Sequence, residues 1–276
     1  MEKVSPGDGA GRIPAEITKI IPLGEERLPQ GDHRANGVVL RRRDVSGRSQ
    51  ELLLFLHGFG ATWVSAPGSG TSNRFGGGTE PMTWGVFRLY QSPRRLYLKG
   101  VDIRESFLGV RRSKSSLCAA VKWCLELSSR LPTGHESDPL LSLLWGSMKN
   151  LSCGVSHLLI DARFAWRWAN LWGLAPSLDR CTRCGREIRI GGARLAARSS
   201  DGFICGECLR GARDGSEGRA LLSPISSEAV LLLRTAATLP RDGFAAWAKA
   251  GGAESIRDAG IRAELEDCSL WLYSFL

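Results

Sequence analysis

Glu51-Leu52-Leu53-Leu54-Phe55-Leu56-His57-Gly58-Phe59-Gly60-Ala61-Thr62-Trp63-Val64-Ser65-Ala66 is the stretch on which the fold turns. Two apolar runs, Glu51 to His57 and Ala61 to Ala66, flank a Gly58-Phe59-Gly60 break. Glycines placed so punctuate a chain reversal, and the runs read as strands on either side of it. Working outward, the same rhythm continues. Val38-Val39-Leu40 opens a run ending in Arg41-Arg42-Arg43, and Asp44-Val45-Ser46-Gly47 supplies a turn. Beyond the loop from Pro67 to Gly78, Met82 to Tyr90 reads as a fourth strand. Pro93-Arg94-Arg95 then turns into a fifth, Leu96 to Ile103. Five short strands in one stretch predict a small barrel over residues 35–108, since closure removes exposed sheet edges.

From Ser113 the period becomes helical. Leu117, Val121, Cys124/Leu125 and Ser128 keep one face until Leu131-Pro132 stops it. Ser137-Asp138-Pro139 predicts an N-cap opening Leu140 to Leu151. A third helix is predicted over Val155–Trp172 with Gly173 as its C-cap. Ser223-Pro224 is expected to open a fourth, and Glu254 to Tyr273 the last. The class is therefore α+β, a β-barrel followed by an all-helical region over 109–276. Residues 1–34 mix acids, bases, Pro and Gly without periodicity and read as a flexible extension.

The 276 residues carry 37 Lys plus Arg against 28 Asp plus Glu, a formal charge of +9. Such a balance favours polyanionic partners. The longest charge-free stretch, Leu52 to Asn73, is broken by His57, Pro67 and four glycines, which is no membrane span. Residues 1–34 hold no apolar signal-type region, so the expectation is a soluble, cytoplasmic protein. No Gly-x-x-x-x-Gly-Lys-Ser/Thr loop occurs, which excludes a Walker-type nucleotide site.

Four of the eight cysteines form pairs, Cys181-Thr182-Arg183-Cys184 and, after twenty residues, Cys205-Gly206-Glu207-Cys208. That spacing is a four-thiolate zinc pattern, each pair a tight knuckle aiming two sulfurs at one point. Gly185 and Gly206 are expected to give the knuckles their backbone freedom. Four cysteines leave no open coordination position, so the predicted zinc, one per chain at a module over 180–210, is structural.

Leu52 to Gly60 also looks like the strand and oxyanion-hole loop of an α/β-hydrolase. That enzyme needs a Gly-x-Ser-x-Gly elbow followed by an acid and a histidine. No serine here has glycines two residues before and after it. The preferred reading is a non-enzyme with a hairpin turn at His57-Gly58-Phe59-Gly60, the hydrolase being the alternative. The barrel segment is itself basic. Arg41, Arg42, Arg43, Arg48, Arg74, Arg88, Arg94, Arg95, Lys99 and Arg104 face five acidic residues. With Trp84, Phe87, Tyr90 and Tyr97 nearby, these cations suit a surface that tracks phosphates and stacks bases. A solvated basic surface over buried aromatics fits the same residues.

The order of parts resembles the RecO family of bacterial recombination mediators. Asn36-Gly37-Val38-Val39-Leu40-Arg41-Arg42-Arg43-Asp44 is similar to that family's opening strand. Arg74-Phe75-Gly76-Gly77-Gly78-Thr79-Glu80-Pro81-Met82 resembles its Phe-Gly … Glu-Pro-Phe loop and strand. Leu171-Trp172-Gly173-Leu174-Ala175-Pro176-Ser177-Leu178-Asp179-Arg180-Cys181 is similar to the helix end that leads into its zinc module. Phe203-Ile204-Cys205 and Leu222-Ser223-Pro224 follow in order. Unlike the family's usual pattern, Ser65 to Asn73 carries no Lys or Arg.

The resemblance implies an OB-fold barrel and a helical domain holding zinc. It implies a protein that binds single- and double-stranded DNA at the barrel cations named above and anneals complementary strands. With RecR, such a protein helps load RecA onto single strands coated by the single-stranded-DNA-binding protein SSB, in the cytoplasm at the nucleoid. A zinc-ribbon nucleic-acid-binding protein outside repair is the further alternative. The resemblance also implies a site for the acidic, apolar tail of SSB. On the helix Val155–Trp172, Trp168 and Trp172 share a face while Trp166 projects the other way. Trp166 with Arg163 and Arg167 is the candidate for that tail.

Overall fold

The apolar runs become strands whose alternate side chains meet in one core. A computed structural model describes residues 28–46, 49–70, 74–188, 196–198, 202–213, 223–252 and 256–276. The expected extension as far as residue 27, and Arg48, lie outside the described residues. The chain divides into two compact units, Met1–Met148 and Lys149–Leu276.

In the first unit, β1 (Gly31–Ser46), β2 (Ser49–Leu56), β3 (Gly60–Pro67), β4 (Trp84–Gln91) and β5 (Leu96–Glu105) close a barrel in the order β1-β2-β3-β5-β4. This is a five-stranded barrel of the OB type. The closure is uneven, because β3 and β5 meet, in parallel, only at Ser65 and Tyr97. β1 serves both sides: Gly31–Val38 pairs with β4, and Gly37–Ser46 pairs with β2. A bulge between Val39 and Arg41 lets one strand bend through both pairings. The strand starts at Gly31, ahead of the expected Asn36, because its first residues are held by backbone bonds to β4 rather than by apolar side chains.

Val39, Leu52, Leu54, Leu56, Val64, Ala66, Phe87, Leu89, Leu96 and Leu98 fill the barrel. β2 is a continuous apolar run rather than an alternating one because both of its faces are covered. Leu53 and Phe55 point away from the interior, yet are only 4% and 0% exposed. Helices α1 (Leu108–Arg112), α2 (Lys114–Arg130) and α3 (Asp138–Ser152) follow β5. α2 packs on β1. Trp145 of α3 meets Trp84 at 4.7 Å and Phe107 at 5.3 Å between ring centroids.

His57-Gly58-Phe59 is the turn between antiparallel β2 and β3. Asp138, at the start of α3, accepts the Gly58 N–H at 2.8 Å and lies 3.1 Å from His57 Nε2. The hydrolase-like stretch is thus a hairpin turn of a barrel, tied to a helix start. Its neighbour segment crosses closely, since the Gly134 N–H donates to the Ala61 carbonyl at 2.9 Å.

The second unit contains α4 (His157–Leu171), β6 (Ala196–Arg198), β7 (Phe203–Ile204), α5 (Gly206–Arg213), β8 (Ser223–Ile225), α6 (Ser227–Thr238), α7 (Arg241–Trp247) and α8 (Ala259–Tyr273). A π-turn, Ala248–Gly252, continues α7. α4 packs against α6 and α8. Trp168 is fully buried there, edge-on to Phe164, Trp172 and Tyr273. Gly173 ends α4 at φ +72°, with the Leu174 N–H returning to the Ala169 carbonyl at 2.8 Å and the Gly173 N–H to Asn170 at 3.1 Å. That paired geometry is a Schellman cap, where the missing Cβ of glycine is needed.

One predicted helix start moves. Ser223-Pro224 belongs to β8, an edge strand of the sheet β7-β6-β8, where a missing proline N–H costs nothing. Ser226 is the real cap of α6, its Oγ accepting the Ala229 N–H at 3.1 Å. The expected start of the last helix, Glu254, lies outside the described residues; the helix described begins at Ala259, where Asp258 caps it through the Ile261 N–H at 3.0 Å. No helix among the described residues is long and apolar enough to cross a membrane.

The β2–β3 hairpin supplies a direct check. Gly60 has φ +88°, and a Cβ built there would lie 1.8 Å from the His135 carbonyl oxygen. Gly60→Ala combines backbone strain with a clash that no side-chain movement relieves. The expected loss is at least about 2 kcal/mol, read as a lower urea midpoint at unchanged m-value.

Candidate functional site

The four paired cysteines converge. Their sulfurs all lie within 4.8 Å of one another. The first knuckle is a small hairpin: the Cys181 N–H donates to the Arg186 carbonyl and the Gly185 N–H to the Cys181 carbonyl, both at 2.9 Å. Gly185 takes φ +69° to make this turn, as its sequence position predicts. Gly206 does not play that part. It is the first residue of α5, so the second knuckle is formed by a strand end and a helix start. Cys205 and Cys208 therefore sit at the N-terminal turn of a helix.

The knuckles are stitched together by the Thr182 N–H to the Phe203 carbonyl at 2.9 Å and by Arg186 to Glu207 at 3.0 Å. Desolvation pushes the Cys181 thiol up, but the backbone N–H groups of Cys205, Cys184 and Arg183 outweigh it and bring it down to about 6. Cys208 is pushed up to about 12, first by desolvation and then by hydrogen bonds from the other three cysteines. Thiolates this close repel one another, a cost that a cation bound between them would offset. The cluster has the composition and closeness of a metal site.

The second candidate is on the barrel. A groove with about 300 Å³ of free space is lined by Glu51, Trp63, Ser65, Gln91, Arg94 and Arg95 among others. It combines the outer face of β2 and β3 with the β4–β5 turn. In OB-folds, this face and the adjoining loops bind oligonucleotides.

The cations predicted for the barrel are not equivalent. Lys99 is paired with Asp32 at 2.7 Å, and Arg88 lies 3.8 Å from Asp102, which Arg34 also binds. Arg42 is bonded to Glu80. Arg43 donates twice to Glu51 and stacks over Trp63, 4.1 Å from the ring centroid. Arg74 lies over Phe75 at 5.2 Å. Arg41, Arg94, Arg95 and Arg104 are exposed and make no ion pair among the described residues. Arg94 and Arg95 are both at the groove.

The predicted stacking aromatics separate as well. Trp84 and Phe87 are buried, at 3% and 0% exposure, so they are core. Tyr90 and Tyr97 remain half-buried. Trp63, not singled out from the sequence, is the half-buried aromatic that lines the groove. Its signal was present: Trp63 and Ser65 alternate with inward Val64 and Ala66, which puts the indole on the outer face.

On α4 the expected partner site changes character. Arg163 is only 7% exposed and donates to the carbonyls of Ala236 and Leu239, at 2.5 and 2.8 Å. Arg167 donates to Ala237, Thr238 and Leu239. The two guanidiniums satisfy the open carbonyls at the C-terminus of α6, where positive charge is favoured. Burial, with Arg167 and Arg241 adding repulsion, lowers the Arg163 pKa to about 10. Trp166 is half-buried, its Nε1–H donating to Pro176 at 3.3 Å. Arg163 is thus a buried helix cap and not an exposed edge of a pocket.

Comparison with known proteins agrees with this architecture. A family model described as "Recombination protein O C terminal" matches residues 112–249. A "DNA repair protein RecO" of Geobacter metallireducens is 32% identical, the match covering 68% of this chain and 78% of that protein. The protein of the same name from Rubrobacter xylanophilus is 30% identical over 64% of this chain and 71% of its own length. That of Exiguobacterium sp. is 27% identical, over 69% and 73%.

The α6 cap generates a prediction of its own. Arg163→Leu keeps much of the apolar bulk but leaves buried carbonyls unpaired, at an expected cost of roughly 2–4 kcal/mol in urea unfolding. An exposed arginine would cost almost nothing when replaced.

Proposed function

The chain belongs to the RecO family of DNA repair proteins, and on that footing we propose that it is a non-enzymatic mediator of recombinational repair. It binds single- and double-stranded DNA through the barrel, residues 35–108, and anneals complementary strands. With RecR it helps to load RecA onto SSB-coated single strands in the cytoplasm. The helical region, 109–276, carries the partner contacts. Of the residues read for the SSB tail, Trp166 and Arg167 stay half-exposed and keep that role, whereas Arg163 leaves it.

One observation carries the DNA reading: Arg94 and Arg95, without an ion pair among the described residues, border an open groove on the face that OB-folds in general use for oligonucleotides. Phosphate contacts of this kind give affinity without sequence preference and weaken with salt. Arg41 extends the free positive charge along β1. The cations already matched to carboxylates, Lys99 foremost, have less to offer a phosphate. The triple variant Arg41→Ala/Arg94→Ala/Arg95→Ala is therefore expected to weaken single-strand binding. Its log–log salt slope should be shallower by about 0.7 for each phosphate no longer held. Lys99→Ala is expected to stay close to wild type in the same gel-shift series. Equal behaviour of the two variants would move the site off this groove. Annealing of complementary strands coated with the organism's own SSB tests the mediator role directly.

We also propose that Cys181, Cys184, Cys205 and Cys208 hold one structural zinc ion. A tetrahedral centre with zinc–sulfur bonds of about 2.3 Å places its sulfurs about 3.8 Å apart. The Cys184 and Cys205 sulfurs are 3.8 Å apart. The ion would tie the two knuckles together and, with four thiolates, keep no position for substrate. Cys184→Ser is expected to reduce zinc content from one equivalent to near zero and to destabilise the second unit while the barrel stays folded. Elemental analysis and limited proteolysis measure the two effects separately.

A further inference from the structure

Trp63 has an unusual setting for an aromatic side chain. It is half-buried on the outer face of β3, away from the barrel core, and lines the groove. The Arg43 guanidinium covers its ring at 4.1 Å, and Glu51 fixes that guanidinium through two hydrogen bonds. Arg43 reaches the ring from β1, across β2. Arg94, Arg95 and Leu96 lie on the other side, where β5 adjoins β3. The ring thus carries a fixed cation over it and also lines the groove. Arg43 orients the ring and offsets the cost of leaving an indole half in water.

We infer that Trp63 is a stacking platform for one unpaired base, and that this contact makes the groove prefer single-stranded nucleic acid to duplex. A flat aromatic face accepts any base, because every base has a π-face, so the contact adds affinity without sequence selection. In a duplex the bases are already stacked, and only the phosphates remain available to Arg94 and Arg95. The inference rests on the groove being the binding site proposed above. The same pair of charges assigns Glu51 a positioning role: a lone carboxylate would repel a nucleic acid, but here it neutralises Arg43 and holds it over the ring.

The test uses the full chain and three probes of matched length: labelled oligothymidylate, an abasic oligomer and a duplex. Stacking is worth enough that Trp63→Ala should weaken oligothymidylate binding about tenfold, with Trp63→Phe retaining most of the affinity. The salt slope should not change, because every phosphate-binding cation is retained. Binding of the abasic oligomer and of the duplex should change less than about twofold in either variant. Equal losses on all three probes would mean that Trp63 only supports the fold, which overturns the inference. Unchanged oligothymidylate binding in Trp63→Ala, alongside weakened binding in Arg94→Ala/Arg95→Ala, would also overturn stacking while the groove stands. If neither variant binds differently, the groove reading falls with it.

Discussion

Gly31–Ser46 must hydrogen-bond to two different strands at once, to β4 through its first half and to β2 through its second. A straight strand cannot do both, so the bulge between Val39 and Arg41 bends it, and the bend closes the barrel. Closure then dictates what each side chain meets. Inside, ten or so apolar residues exclude water, each contributing roughly 1.5–3 kcal/mol by burial. Outside, Val38, Leu40, Leu53 and Phe55 are buried as well, so that part of the surface is reserved for packing. Around Trp63 and Ser65 the outer face instead stays partly open and borders the groove.

The second unit solves a different problem with local polar networks. The C-terminal carbonyls of α6 end inside the protein, where an unpaired carbonyl is costly. Arg163 and Arg167 reach them from α4, so helix packing and helix capping are one interaction. At the cysteine knuckles, backbone N–H groups are aimed at Cys181, and Cys205 and Cys208 meet the first turn of α5.

Much of this was legible in the residues. The strand rhythm, the Gly58-Phe59-Gly60 turn, the Gly173 cap and the Cys-x-x-Cys pairs are local signals, and local geometry decides them. What escaped depends on contacts distant in sequence. The start of β1 is set by β4, more than fifty residues later, and no side-chain pattern announces it. Ser223-Pro224 looks like a helix opening until pairing with β6 makes it an edge strand. Arg163 resembles any surface arginine, and only the end of α6 turns it into a buried cap. Counting cations could not separate Lys99 and Arg88, matched by Asp32 and Asp102, from Arg94 and Arg95.

That separation is what gives a basic barrel a direction. Over β1, β4 and β5 the acids Asp32 and Asp102 pair with Lys99, Arg34 and Arg88, so those cations are less available to a polyanion. Near the β2–β3 face Glu51 is engaged by Arg43, and the turn arginines Arg94 and Arg95 make no ion pair among the described residues. A formal charge of +9 spread evenly would attract nucleic acid to every side alike. Carboxylate pairing makes the cations unequal, and Arg94 and Arg95, which make no ion pair among the described residues, border the groove that Trp63 also lines. The proposed path of a strand therefore depends on the acidic residues as much as on the arginines.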